Sequence, residues 1–580
     1  MMKMRNMNSI LYSWVKALPG ALLMAVTSLS LLSSCDDFLS IEPQNEIVLE
    51  NYWTEEKDVN SVLNSCYAQL ESRDCISRMI VWGELRSDNM TTGSGTSHNV
   101  QQILKENILE TNDYTNWQCF YQVINQCNTV IHYAPGVNAI DPNFTDSELR
   151  ATIAEAKTLR ALCYFYLIRT FRDVPYVTEP SKEDSQDFQV AATPFVQVLD
   201  SLIADVESVK DDAVRSYGEE SVENTCRITR WACYSLLADL CLWKGEWQKC
   251  IDYCNLVIEQ KVREYDEAYE KNPTTLTVEL YDTYPLISES ASGSNFAGNT
   301  YNEIFGTGNS FESIFELNFV ENQNVTNGAI STFYGSTGNK TGQIGVPTFL
   351  NSDIFSDQNK YFQKTDCRAL ENMVEQNNKV YIAKYVNQSV SFRTSTTTGA
   401  APIVNGTVRS SAYANWIVYR LTDVMLMRAE AEVELAGDVA EGAVLTEEQT
   451  QHYRNAFDCV SAVWKRANNK RTSTVGQLVF EDYATSRSTM ENLVLDERQR
   501  ELMFEGKRWF DLVRLSRREG DNSRLIEKVL PKFQENTSAI RIKLSAADVL
   551  YWPYNREELK QNPKLVQNPA YVTDNTELNF

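Results

Sequence analysis

The sequence predicts a mainly α-helical protein, in which stacked helix pairs frame an irregular, loop-rich region with short strands at about 262–412. Three observations carry this reading. Apolar residues recur at helical spacing through Thr229–Gln260, on two faces separated by Gly245. A second such pair runs over Asp423–Gly437 and His452–Arg466. Between the pairs Gly, Ser, Thr and Asn dominate, with aromatic residues scattered among them.

Taken in order, the chain opens with Lys3, Arg5 and Lys16 followed by an apolar run from Ala17 to Leu32. A positive segment before an apolar one is an export signal. It ends in Leu32-Ser33-Ser34-Cys35, which resembles the lipobox of bacterial lipoproteins. The expectation is a signal peptide over 1–34 and a mature domain over 35–580, beginning at a lipid-modified Cys35. Each buried methylene of an acyl chain adds about 0.8 kcal/mol of membrane affinity, so two or more chains anchor stably. Asp36-Asp37 beside that cysteine resembles a surface-export signal of Bacteroidota lipoproteins, and reads equally well as an acidic tether.

Loss of the signal leaves 546 residues and deepens the net charge from −24 to −27, because Lys3, Arg5 and Lys16 leave with it. So acidic a chain excludes nucleic acid as a partner, since a phosphate backbone demands clustered Lys and Arg. No second apolar run approaches the ~20 residues needed to span a bilayer. Twelve cysteines follow Cys35. Exported proteins allow disulfides, but Cys226, Cys233 and Cys241 stand at helical spacing in apolar surroundings, as do Cys250 and Cys254. Buried thiols acting as small hydrophobes are the reading this favours. With no Cys-x-x-Cys, and with His98, His132 and His452 far apart, no metal site and no cofactor are expected.

A helix is expected over Thr54–Leu70, capped by Thr54, and others over Asp113–Tyr133 and Asp146–Phe171. Arg73–Val100 reads as irregular. Pro175 turns the chain out of the third helix. In Thr229–Gln260, Gly245, Trp247, Cys250 and Val257 resemble the tetratricopeptide pattern. Ser313–Val320 alternates as a short strand does. Asn492–Arg518 reads as one charged helix. Its Glu497, Glu501 and Glu505 are interleaved with arginines, which favours a structural ion-pair network over an acid/base site.

Several stretches then resemble the SusD/RagB family of surface lipoproteins. They are Cys35-Asp36-Asp37-Phe38-Leu39, Glu155–Ala161 running to Asp173-Val174-Pro175, Arg420–Ala431, Glu497–Arg514, and Trp552-Pro553-Tyr554 with its subsequent Asn-Pro pairs. Two departures stand out. Arg172 occupies a place where the family usually has Gly, and Trp552-Pro553-Tyr554 replaces a commoner Ile-Pro run.

The resemblance implies a SusD-like fold and a role in nutrient capture at the outer membrane, the cargo usually a glycan. It also implies a partner, a SusC-like TonB-dependent transporter. Ligand residues do not transfer, because the matched motifs are structural. Sugar rings stack on aromatic side chains and their hydroxyls need Asn, Asp, Arg or Gln. On that chemistry the expected platform is Trp82, His98, Asn99, Tyr301, Phe333 and Tyr334. A peptide-capturing, RagB-like role is an alternative that strongly charged, aromatic-poor walls would favour. A glycoside hydrolase is a third, but no Gly-x-Ser-x-Gly, His-Glu-x-x-His or phosphate-binding loop occurs, so the chain reads as a non-enzyme.

Overall fold

The computed structural model describes residues 52–181, 188–274, 276–289, 291–292, 295–296, 298–320, 325–335, 342–351, 361–363, 366–376, 379–393, 403–439, 444–468 and 478–572. Cys35 and its flanks lie outside these. The helical frame lies in the unit Glu55–Phe580.

Its longer helices, in order, are α1 (Glu56–Leu70), α2 (Arg73–Glu84), α3 (His98–Leu104), α4 (Gln118–Asn138), α5 (Asp146–Phe171), α6 (Phe195–Glu207), α7 (Arg230–Lys244), α8 (Trp247–Lys271), α9 (Leu421–Ala436), α10 (Glu447–Asn468), α11 (Arg487–Leu502), α12 (Arg508–Glu519), α13 (Ser523–Val529) and α14 (Thr537–Leu544). Most helices pack on a helix near them in chain order. α1 lies on α4, α4 on α5, α5 on α6, α7 on α8, α8 on α9, and α9 on α10 and α11. This is the expected stack of helix pairs, each covering a face its neighbour cannot bury alone.

Local sequence explains most of these elements. Thr145 caps α5 through a reciprocal box with Glu148. From Ala154 onward nearly every side of α5 is buried, so it runs between neighbours rather than over them. α7 ends at Gly245, at φ +84°, and α8 starts two residues later, as the repeat requires. α1 is capped at Glu55 rather than Thr54, with the Asp58 carboxylate accepting from the Glu55 N–H at 3.0 Å.

The structure corrects two expectations. Arg73–Val100 is not irregular throughout, because α2 lies within it and α3 begins in it. α2 is buried continuously from Cys75 to Glu84 and so carries no polar stripe for periodicity to reveal. The charged helix expected over Asn492–Arg518 is two helices. Between α11 and α12 the chain turns through Phe504 at φ +68° and Gly506 at φ +71°.

Strands gather in the inserted region. Antiparallel pairing orders Thr91–Thr92, Ile344–Val346, Lys379–Ile382 and Met373–Gln376 in one sheet, with Thr91 opposite Gly345 and Val380 opposite Val346. A second sheet joins Ile403–Val408, Asn387–Arg393, Asn295–Phe296 and Ala291–Ser292. Ser313–Leu317, the expected strand, pairs with Trp416–Arg420, and both are buried throughout. All twelve cysteines of the described residues are outside disulfides, and all but the half-buried Cys226 are buried. No helix among the described residues is long and apolar enough to cross a membrane.

The charged motif of α11 forms a buried network. Arg368 pairs with Asp366, Glu497 and Glu501, Arg420 with Glu501 and Glu505, Lys384 with Glu505, Arg466 with Glu312 and Glu501, and Arg500 with Glu497. Burial pushes the Glu501 carboxyl up, but the guanidinium groups of Arg466, Arg420 and Arg368 outweigh it and hold that carboxyl well below the usual range. A carboxylate fixed as an anion by three arginines is a structural anchor rather than a proton donor.

Candidate functional site

A polar cleft of about 560 Å³ opens on the surface of the helical frame. Three stretches build it: the first two turns of α2 with Asp74 and Arg78, the segment Thr111–Gln122 that enters α4, and Asn555-Arg556-Glu557 near the C-terminus. Arg78 is its fixed cation. The Arg78 guanidinium donates to the backbone carbonyls of Asn116, Asp74 (3.1 Å) and Asp113 (3.2 Å), and it forms no ion pair among the described residues. Carbonyls orient a guanidinium without neutralising it, so its charge remains available to the cleft.

Exposed Asp74 and Asp113 stand beside it, and Asn116 and Gln122 add amide groups. Across the cleft Arg556 is paired with Glu110 at 2.7 Å. The walls thus present donors and acceptors of both signs, suited to a hydroxyl-rich or zwitterionic ligand. Next to Asp113, the half-buried Tyr114 has its ring 6.0 Å from that of Phe333. Burial raises the Tyr114 phenol, which stays a neutral donor and acceptor.

The expected platform is distributed differently. Trp82 is fully buried, stacked on Phe120 at 5.1 Å, and its Nε1–H donates to the Tyr114 carbonyl at 2.8 Å. Phe333 is fully buried against Tyr114. Tyr301 and Tyr334 are core residues: the Tyr301 hydroxyl donates to the carbonyls of Ala383 and Asn387, and that of Tyr334 to Phe504. None of these four offers a ring face to solvent, because each fills the interior between helices and strands.

His98 and Asn99 are at the surface, at the start of α3. Asn99 Nδ2 donates to the Asp113 carboxylate, and Asn112 Nδ2 to the Asn99 carbonyl at 3.0 Å, so α3 braces the cleft rim. Three of the six expected residues therefore meet around Asp113 and Tyr114: Trp82 and Phe333 from beneath, Asn99 from the side. Asp74, Asp113, Asn116, Gln122 and Arg556 were not marked by the sequence. They come from stretches up to about 480 residues apart with no shared motif.

A helical frame carrying an open polar cleft is the architecture of a protein that can hold a ligand at its surface. The chain belongs to the SusD family: residues 311–571 match the model described as "SusD family", and residues 37–242 the one described as "Starch-binding associating with outer membrane". This is a family of nutrient-binding proteins associated with the outer membrane. A curated relative, SusD-like protein P38 of Formosa agariphila, is 23% identical over 94% of this chain and 98% of its own. The fold matches a SusD superfamily protein of Bacteroides thetaiotaomicron at TM-score 0.61 and 20% identity, covering 90% of this chain and 99% of that one. NanU of B. fragilis matches at TM-score 0.57 and 18% identity, covering 92% and 100%.

Proposed function

We propose that this protein captures an oligosaccharide at the outer face of the outer membrane, held there by acyl chains on Cys35, and passes it to a SusC-like TonB-dependent transporter without altering it. The observation that carries the reading is the 560 Å³ cleft, lined by Arg78, which backbone carbonyls hold, together with the exposed Asp74 and Asp113. Sugar hydroxyls are matched by such mixed donors and acceptors. The lipobox-like Leu32–Cys35 supports the anchor. The family description that mentions starch supports a glycan.

A second reading, peptide capture, is favoured by the cleft's charge and by the lack of an aromatic side chain lining it among the described residues. Calorimetry of the purified protein against oligosaccharide and peptide panels separates the two. Glycan binding weakened by changes at Asp74 or Asp113 supports the first, and peptide binding there replaces it. Release of new reducing ends from a bound glycan would end the claim that no chemistry is done.

A further inference from the structure

Away from the cleft, Glu289, Cys367 and Glu371 converge in the interior, each offering a ligand atom within 4.8 Å of the other two. They come from three places in the chain. Glu289 follows the strand Tyr284–Ile287, Cys367 caps the single-turn helix Arg368–Glu371, and Glu371 ends that turn. The Cys367 N–H donates to the carbonyl of Ala467 at 3.2 Å, which ties the turn to the end of α10.

Three further observations bear on what they hold. All three residues line one cavity of about 20 Å³, room for a single water-sized body. Glu289 is only 8% exposed, and its Oε1 has no hydrogen-bond partner, an expensive state for a buried carboxylate oxygen. The adjoining cations are already engaged. Arg368, Lys384, Arg420, Arg466 and Arg500 are matched one for one by Asp366, Glu312, Glu497, Glu501 and Glu505, and Glu289 is in no ion pair among the described residues.

We infer that Glu289, Cys367 and Glu371 bind one divalent metal ion of borderline softness, of the zinc type. Two carboxylates alone would suit calcium or magnesium, but a thiolate selects softer ions. At metal–ligand lengths of about 2.0–2.3 Å a tetrahedral ion sets its ligand atoms about 3.5 Å apart, so modest side-chain rotation closes the set. The fourth position falls to the second oxygen of one of the two carboxylates, since the cavity has room for the ion alone. Binding proceeds with loss of the Cys367 thiol proton to solvent and formation of a metal–thiolate bond, the ion keeping its charge state. The ion would fasten the Cys367–Asn372 turn to the end of the 284–289 strand beside the ion-pair network, giving the loop-rich region a clamp independent of the cleft.

The test uses the full chain, stripped with chelator and titrated with Zn²⁺ by calorimetry in two buffers of different ionisation enthalpy, with Ca²⁺ as control. One equivalent of Zn²⁺ bound with proton release, a rise in Tm, and at least tenfold weaker binding in both Glu289→Gln and Cys367→Ser are expected. Circular dichroism of the stripped variants checks that they fold, and the near-isosteric Glu289→Gln keeps the test open should Cys367→Ser not fold. Absence of stoichiometric Zn²⁺ binding, or binding unchanged in a folded variant, overturns the assignment. Preference for Ca²⁺ unaffected by Cys367→Ser overturns it as well.

Discussion

Gly83 of α2 lies against the carbonyl of Gly506: a β-carbon at Gly83 would stand 1.8 Å from that oxygen. The approach lets the turn between α11 and α12 seat on α2. There the Glu84 carboxylate accepts from the N–H groups of Phe504 (3.0 Å), Lys507 (3.1 Å) and Arg508 (3.3 Å). Replacing Gly83 by Ala forces two backbones apart, and overpacking against backbone cannot relax through a rotamer. Gly83→Ala is expected to cost about 3 kcal/mol or more. Urea unfolding would measure it, and an unchanged midpoint would show that the contact carries little.

Arg172, which ends α5, has φ +72° and ψ −77°, with the Asp173 N–H donating to the Phe171 carbonyl at 3.1 Å. This is a γ-turn of the strained kind, and explains why a related chain would carry Gly there. Its partly exposed side chain pairs with Asp173 and Asp548, each pair worth at most about 1 kcal/mol. Arg172→Ala keeps the strain and loses the pairs, whereas Arg172→Gly relieves the strain. The Gly variant should exceed the Ala variant in stability by about 1–2 kcal/mol. Equal unfolding midpoints would refute this account.

Burial raises the Glu84 carboxyl to about 7, despite its hydrogen bonds from Asn89 and three backbone N–H groups. Between the ordinary value of 4.5 and about 7 the folded chain holds a proton that the unfolded chain has released. This contribution is fully present below pH 4.5 and fades as pH rises through 7, by up to about 3 kcal/mol. Glu84→Gln removes the titration, so its stability should vary less over this range than that of the native protein. Parallel pH profiles in urea unfolding would contradict it.

The cleft predicts a separation of binding from stability. Asp74→Ala and Asp113→Ala alter exposed residues and should weaken ligand binding about tenfold, with Tm nearly unchanged. Tyr334→Phe should do the reverse. It removes the bond to the Phe504 carbonyl at a cost of about 1 kcal/mol and leaves affinity alone. Calorimetry and thermal melts on the same samples decide between them.

Much of the frame was legible in the sequence. Asp146–Phe171 is bounded by a Thr-x-x-Glu cap and a following Pro, both local signals, and the structure keeps those limits. The Gly245 turn and the thiols of α7 and α8 follow from spacing alone. Charges interleaved along α11 announce an ion-pair network, though not that Arg368, Arg420 and Arg466 arrive from other elements to meet Glu501.

What the linear order determined by itself was periodicity: which segments are helices, where they are capped, and how pairs repeat. Tertiary structure alone decided exposure. Trp82, Tyr301, Phe333 and Tyr334 have the chemistry of a sugar platform, yet packing places them inside, while the exposed Asp113 and Arg556 meet at a cleft that the buried Arg78 also lines. The physical reason is that helical pattern arises from neighbours three or four residues apart, whereas burial depends on partners hundreds of residues away, which no local window contains.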